Sequence, residues 1–206
     1  MLARLTLVAA VAALVAAPGA SARDRCAVRG AKVVKERGAV RVLRARRPGG
    51  DVKWFGCLRG RRPVHLTTAF NPPEGLSDST VRTVLIVGKA VALRQTGFDE
   101  TGVEGTDFEK IAVADLRPGG RRYGKVVATG EDSFYDGFRK LVLRGDSAAA
   151  WALETAAGTE IDVLGARRTR ARQVAAAEGI VARSLRIGPA AVTWTQDGKR
   201  HTAPVP

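Results

Sequence analysis

Apolar and polar residues alternate with a period of two in short runs along most of the chain, and the runs are separated by turns that carry Gly or Pro. This pattern predicts strands at Lys32–Glu36, Ala39–Leu43, Val52–Leu58 and Pro63–Thr67. A second set follows at 81–88, 90–95, 111–116 and 121–128, and a third at 140–143, 149–153, 160–164 and 170–175. A shorter group, 184–187, 192–195 and 200–205, completes the chain. Within each group the strands are joined by tight turns such as Arg59-Gly60-Arg61-Arg62, Arg117-Pro118-Gly119-Gly120 and Gly165-Ala166-Arg167-Arg168. Their Pro and Gly suit reversal of a hairpin. The Ala-rich stretch from Arg170 to Ala182 also has helix-forming composition, so a helix competes with the strand there.

One β-rich unit thus occurs four times. Its second strands begin at Ala39, Ala90, Ala150 and Ala191. A unit that cannot bury its own faces must stack on copies of itself, so the expected architecture is all-β, with four-stranded antiparallel blades in a small, about four-bladed propeller-like domain. The blades fall near 31–68, 81–128, 138–177 and 184–206. In a closed ring the short fourth blade borrows a strand from Arg23–Arg29; the rival is an open, curved array with a free edge.

Residues 1–22 read as a secretory signal. Arg4 supplies the positive start, Leu5–Ala17 the apolar run, and Ala20-Ser21-Ala22 the small residues before cleavage. The run is too short for a spanning helix, and Arg25 before Cys26 does not suit a lipid-acceptor Cys, so no transmembrane anchor is expected. Residues 23–206 then form one exported domain, secreted or associated with the cell envelope. In that compartment the two cysteines, Cys26 and Cys57, are expected to form a disulfide.

The repeat resembles propeller repeats of the TolB-like and WD type, and more closely the secreted, uncharacterised propeller-like repeat proteins of high-GC Gram-positive bacteria. The residues carrying the likeness are Gly88-Lys89-Ala90-Val91-Ala92-Leu93, Ala114-Asp115-Leu116-Arg117-Pro118-Gly119-Gly120-Arg121-Arg122, Gly56-Cys57-Leu58-Arg59 and Ala191-Val192-Thr193-Trp194-Thr195. They cover most of the chain after the signal, without a Trp-Asp or Gly-His blade marker. The likeness implies a fold and a compartment and transfers no catalytic residue.

The chemistry-bearing residues are sparse. His65 and His201 are the only histidines, no Gly-x-Ser-x-Gly elbow or phosphate loop is present, and no cofactor or metal site is expected. The acidic stretch 99–109 offers oxygen ligands without the spacing of a dedicated calcium loop, and Asp132 and Asp136 form a weaker candidate. Trp54, Trp151 and Trp194 all lie in strands, as packing residues or, if exposed, as a sugar platform.

Charge changes the picture more. The net charge is +14, from 34 basic residues, predominantly Arg, against 20 acidic ones. The codon bias of a GC-rich genome is enough to produce that balance, so composition alone names no ligand, and an exported chain meets little nucleic acid. Blade geometry distributes the charge, however. The first and third turns of each blade share one end of the domain and carry Lys89 and the arginines Arg59, Arg61, Arg62, Arg117, Arg121, Arg122, Arg167 and Arg168. The other end receives Glu74, Asp78, Asp99, Glu100, Glu104, Asp107, Glu109, Glu131, Asp132, Asp136 and Glu178, diluted by Arg44, Arg46 and Arg47. The expectation is a non-enzymatic exported scaffold or binding protein whose eight-arginine face contacts an anionic envelope polymer or an acidic protein. The alternative is a secreted enzyme or carbohydrate-binding protein with its site where the blades converge.

Overall fold

In the computed structural model of the chain, residues 25–70, 77–99, 105–130 and 137–206 are described. The expected signal lies outside them. The described residues form fifteen strands and no helix. The first sheet contains β1 (Ala31–Arg37), β2 (Val40–Arg46), β3 (Val52–Leu58) and β4 (Val64–Ala69). The second contains β5 (Ser77–Val87), β6 (Ala90–Asp99), β7 (Thr106–Asp115) and β8 (Arg122–Gly130). The third contains β9 (Phe138–Leu143), β10 (Ala149–Thr155), β11 (Gly158–Leu164) and β12 (Arg172–Ala177), and the fourth β13 (Ile180–Ile187), β14 (Ala191–Gln196) and β15 (Lys199–Pro204). Each sheet is an antiparallel meander in which sequential strands are neighbours.

Every expected strand is present. The helical alternative at 170–182 is replaced by β12, a turn at Glu178-Gly179 and the start of β13. Gly179 supplies the positive φ of +74° that this reversal needs. Asp99 and residues 106–110, read from sequence as part of a loop, instead lengthen β6 and β7. The Ala39–Ala90 alignment also shifts by one residue. The closing pair of the first hairpin is Arg37–Val40 and that of the second is Val87–Ala90, so Val40 occupies the place of Ala90.

Packing follows the two-residue period. On β6, Val91 and Leu93 join Val40, Val42 and Trp54 in the core between the first and second sheets. Ala90 and Ala92, pointing the opposite way, join Leu141, Trp151 and Leu153 between the second and third. Ala150 and Ala152 of β10 meet Leu185, Val192 and Trp194 between the third and fourth. Because β6 and β10 are covered on both faces, Ala90–Leu93 and Ala149–Leu153 are entirely buried. The outward side of the fourth sheet instead carries Thr193, Thr195, Arg200 and Thr202, paired across β14 and β15.

The sheets therefore stack as a row, and no core cluster among the described residues joins the fourth sheet to the first. The latch that the ring required does not form: β15 is an edge strand, and the fourth sheet has three strands. Cys26 and Cys57 do form a disulfide, with Cα atoms 5.7 Å apart. It holds the turn at residues 25–30 over the exposed side of the first sheet, where Cys26, Val28, Leu43, Phe55 and Cys57 make a small separate core. The amino-terminal segment caps the end of the row, as terminal repeats do in stacked arrays.

Polar contacts strengthen the junction of the first two sheets. Buried Gln95 accepts a hydrogen bond from Thr67 Oγ1 at 2.6 Å and donates to Ser79 Oγ at 3.0 Å and to the Thr68 carbonyl at 3.1 Å. Lys35 Nζ and Arg37 Nη1 of β1 donate to the carbonyls of Val84 and Ile86 on β5, at 2.6 and 3.1 Å. At the next junction Arg94 lies 4.5 Å above the Phe138 ring and forks onto Glu109 at 3.0 and 2.7 Å. Glu109 is 2% exposed, so it does not belong to an acidic surface. Glu74, Glu100, Glu104, Glu131, Asp132 and Asp136 of that expected surface lie outside the described residues, as do Glu100–Glu104 of the calcium candidate.

Candidate anion-binding grooves

The turn that ends β7 is built by its own Asp115. The Asp115 carboxylate accepts the Arg117 amide at 3.0 Å and Arg117 Nε at 2.9 Å, and the Arg117 carbonyl accepts the Gly120 amide at 2.9 Å. A Cβ on Gly120 would fall 2.2 Å from the Asp115 carbonyl, and Gly119 has φ +69°, so the Pro118-Gly119-Gly120 tip stays low and free of long side chains. Leu116 anchors the turn on the first sheet by filling the space beside Gly56, where an added Cβ would meet Leu116 at 2.9 Å. The Leu116 amide donates to the Lys89 carbonyl at 3.0 Å, which ties the first and third turns of this sheet together.

Two grooves flank that turn. One, of about 620 Å³, lies between the first and second sheets and is lined by Arg25, Gly60–His65, Asp115–Gly120 and Arg122. The other, of about 440 Å³, lies between the second and third sheets and is lined by Asp115, Arg117–Arg121, Asp146, Ala166 and Arg167. Their shared wall is the Arg117–Gly120 turn. A separate small space, which shares Arg121 and Ala166 with the second groove, is lined by Arg168, Ser147 and buried Tyr123. Arg121 and Arg122 also line that space.

Of the eight arginines singled out from sequence, seven line these three spaces and all eight are exposed. Arg59 stands apart, paired with Glu36 at 3.3 Å; the same carboxylate holds Arg41 at 3.1 Å. Among the described residues, Arg61, Arg62, Arg121, Arg122, Arg167 and Arg168 have no carboxylate within ion-pair distance, whereas Arg117 is paired with Asp115. Arg25, His65, Asp115 and Asp146 are groove residues that the sequence reading did not select. The Asp-x-Arg spacing at Asp115–Arg117 was a visible signal for a side-chain-closed turn. Arg25 offered none, because its place depends on the disulfide beside it.

The electrostatics favour an anion. Burial would raise the Asp115 pKa, but the side-chain and backbone hydrogen bonds from Arg117, with its charge, hold the carboxyl below its ordinary range. At the neighbouring Asp146, the forked hydrogen bonds of Arg144 outweigh burial and again lower the carboxyl. Both acids are thus ionised and already occupied by guanidinium groups. Arg144 Nη1 also donates to the carbonyls of Gly188, at 2.6 Å, and Pro189, which ties the third and fourth sheets together. His65 lies within 3.0 Å of Thr68 Oγ1. Burial first, and then the positive charges of Lys53, Lys110 and Arg122, lower its pKa, so the ring is neutral at pH 7. Burial and the charge of Asp162 push the Tyr123 hydroxyl up to about 12.

The three tryptophans provide no exposed platform: Trp54, Trp151 and Trp194 are buried, one at each sheet junction. No family model, curated protein or solved structure matches the chain.

Proposed function

We propose that the protein is an exported, non-enzymatic binding protein of the cell envelope, a propeller-like row of sheets whose grooved face holds an anionic polymer. The observation carrying this reading is the pair of adjacent grooves, lined by Arg25, Arg61, Arg62, Arg117, Arg121, Arg122 and Arg167 against two carboxylates already engaged by arginine. Guanidinium groups on exposed turns attract and fork onto phosphate and carboxylate. A polymer is favoured over a compact acidic protein because the grooves run across three successive sheets past a low shared wall, a shape that suits a chain. The disulfide supports an oxidising compartment. The likeness of the repeat to secreted propeller-like proteins supports the same location.

Co-sedimentation of residues 23–206 with cell-wall sacculi across a salt series tests the proposal. The expected result is pelleting at low ionic strength that disappears by several hundred millimolar salt, as screening shortens. Failure to pellet at any salt would remove the polymer reading. Sequencing the amino terminus of the protein recovered from culture medium or envelope tests export, and an uncleaved Met1 would count against it.

A further inference from the structure

The grooves contain a repeated element. In each four-stranded sheet a Leu ends the third strand or directly follows it, and the connection to the fourth strand carries two adjacent arginines: Leu58 with Arg61-Arg62, Leu116 with Arg121-Arg122, and Leu164 with Arg167-Arg168. Stacking the sheets places these turns side by side along one end of the row, where successive pairs line shared spaces. We propose that the three arginine pairs are the rungs of a ladder that recognises a linear, base-free phosphate-repeat polymer lying across the sheets, in preference to a compact anion.

Three physical arguments support this. First, packed sheets lie about 10 Å apart, so the rungs span roughly 20 Å, a length that an extended chain bridges and a single small anion does not. Secondly, each pair sets two exposed guanidinium groups next to each other on one connection, so both can approach one ligand. A tetrahedral phosphate can accept both guanidinium forks, while one fork fills a planar carboxylate. Thirdly, among the described residues His65 is the only aromatic ring lining the two large grooves. Single-stranded nucleic acid is held largely by stacking on aromatic side chains, which this lining does not offer. Arg117, fixed by Asp115 between the two grooves, gives a pre-positioned cation at the crossing. The low glycine tip lets a chain pass over it.

This ladder rests on the anionic-polymer reading, and the test separates the two. Binding of linear long-chain polyphosphate, tripolyphosphate and oligothymidylate is measured by titration calorimetry at fixed salt, for the native chain and for the variants R61Q/R62Q and R167Q/R168Q. Unchanged urea midpoints verify that the variants are folded, as expected for exposed turn residues. The ladder predicts that long-chain polyphosphate binds at least about tenfold more tightly per phosphate than tripolyphosphate, through linked occupation of the rungs. Either double variant should remove most of that gain, while tripolyphosphate loses a rung and keeps its affinity at the others. Oligothymidylate should bind more weakly per phosphate than polyphosphate. Equal affinity per phosphate for the long and short chains would overturn the ladder and leave a simple anion groove. Oligothymidylate binding as tightly as polyphosphate would overturn the base-free assignment. If neither polyphosphate binds, the ladder falls, and the reading beneath it falls too only if sacculi also fail to pellet the protein.

Discussion

Removing the Cys26–Cys57 bridge tests how the end of the row is held. The cysteines are separated by 31 residues, a span that includes β1, β2 and nearly all of β3. Closing a loop of that length removes unfolded-state entropy worth about 3–4 kcal/mol at 25 °C. With a urea m-value of about 2 kcal/mol/M for a domain of this size, C26A/C57A should unfold at a urea concentration lower by roughly 1.5–2 M. Further loss comes from the small core around Val28, Leu43 and Phe55, which depends on the capping turn staying in place. Tryptophan fluorescence is a suitable signal, because Trp54, Trp151 and Trp194 report on the three sheet junctions. The same variant should bind long-chain polyphosphate slightly less well, since Arg25 reaches the first groove only while Cys26 is tethered. A variant whose midpoint stays within about 0.3 M of the oxidised native chain would refute the reasoning. The cap would then be held by packing alone, and the bridge would not constrain the state that unfolds.

Other perturbations test the junctions and the groove. Glu109→Gln should destabilise the protein by about 3 kcal/mol, because it removes the buried charge onto which the Arg94 guanidinium forks; R94M/E109L should recover much of the loss in the same urea assay. Gly56→Val should push Leu116 off the first sheet, disturb the turn between the grooves and weaken polyphosphate binding at least as much as it lowers stability, as titration calorimetry and urea unfolding on one sample would show. For His65 the folded pKa lies below its ordinary value, so the unfolded chain binds the proton more readily. Its contribution to stability is therefore complete above that ordinary value and declines as pH falls toward the folded one. A bound anion reverses the preference by stabilising imidazolium. Polyphosphate affinity should accordingly rise a few-fold between about pH 7.5 and 5.5 and rise less in H65Q; an identical pH profile for H65Q would exclude a contact between this ring and the ligand.

The strands were legible because β6 and β10 obey a strict two-residue period, with alternate side chains entering different cores. Ala90 and Ala92 differ from Val91 and Leu93 in size because they face different neighbours, a division that sequence alone records as simple alternation. The arginine turns were legible for a similar local reason, since a hairpin fixes which end of the sheet its turn occupies. How the row ends was not legible. A short fourth unit and a nearby cysteine pair fit a ring latch and an end cap equally well until the faces of the terminal sheets are known. The polar Thr193, Thr195 and Thr202 of the fourth sheet and the cystine-held turn over the first decide for the row. Burial of Glu109 was hidden too, because β6 and β7 run farther than their apolar cores and carry a charged pair into the junction. The consequence reaches the grooves. A row keeps its arginine turns in line along one end, whereas a closed ring would bend them around an axis, so the open stacking is itself what makes a linear ligand the better fit.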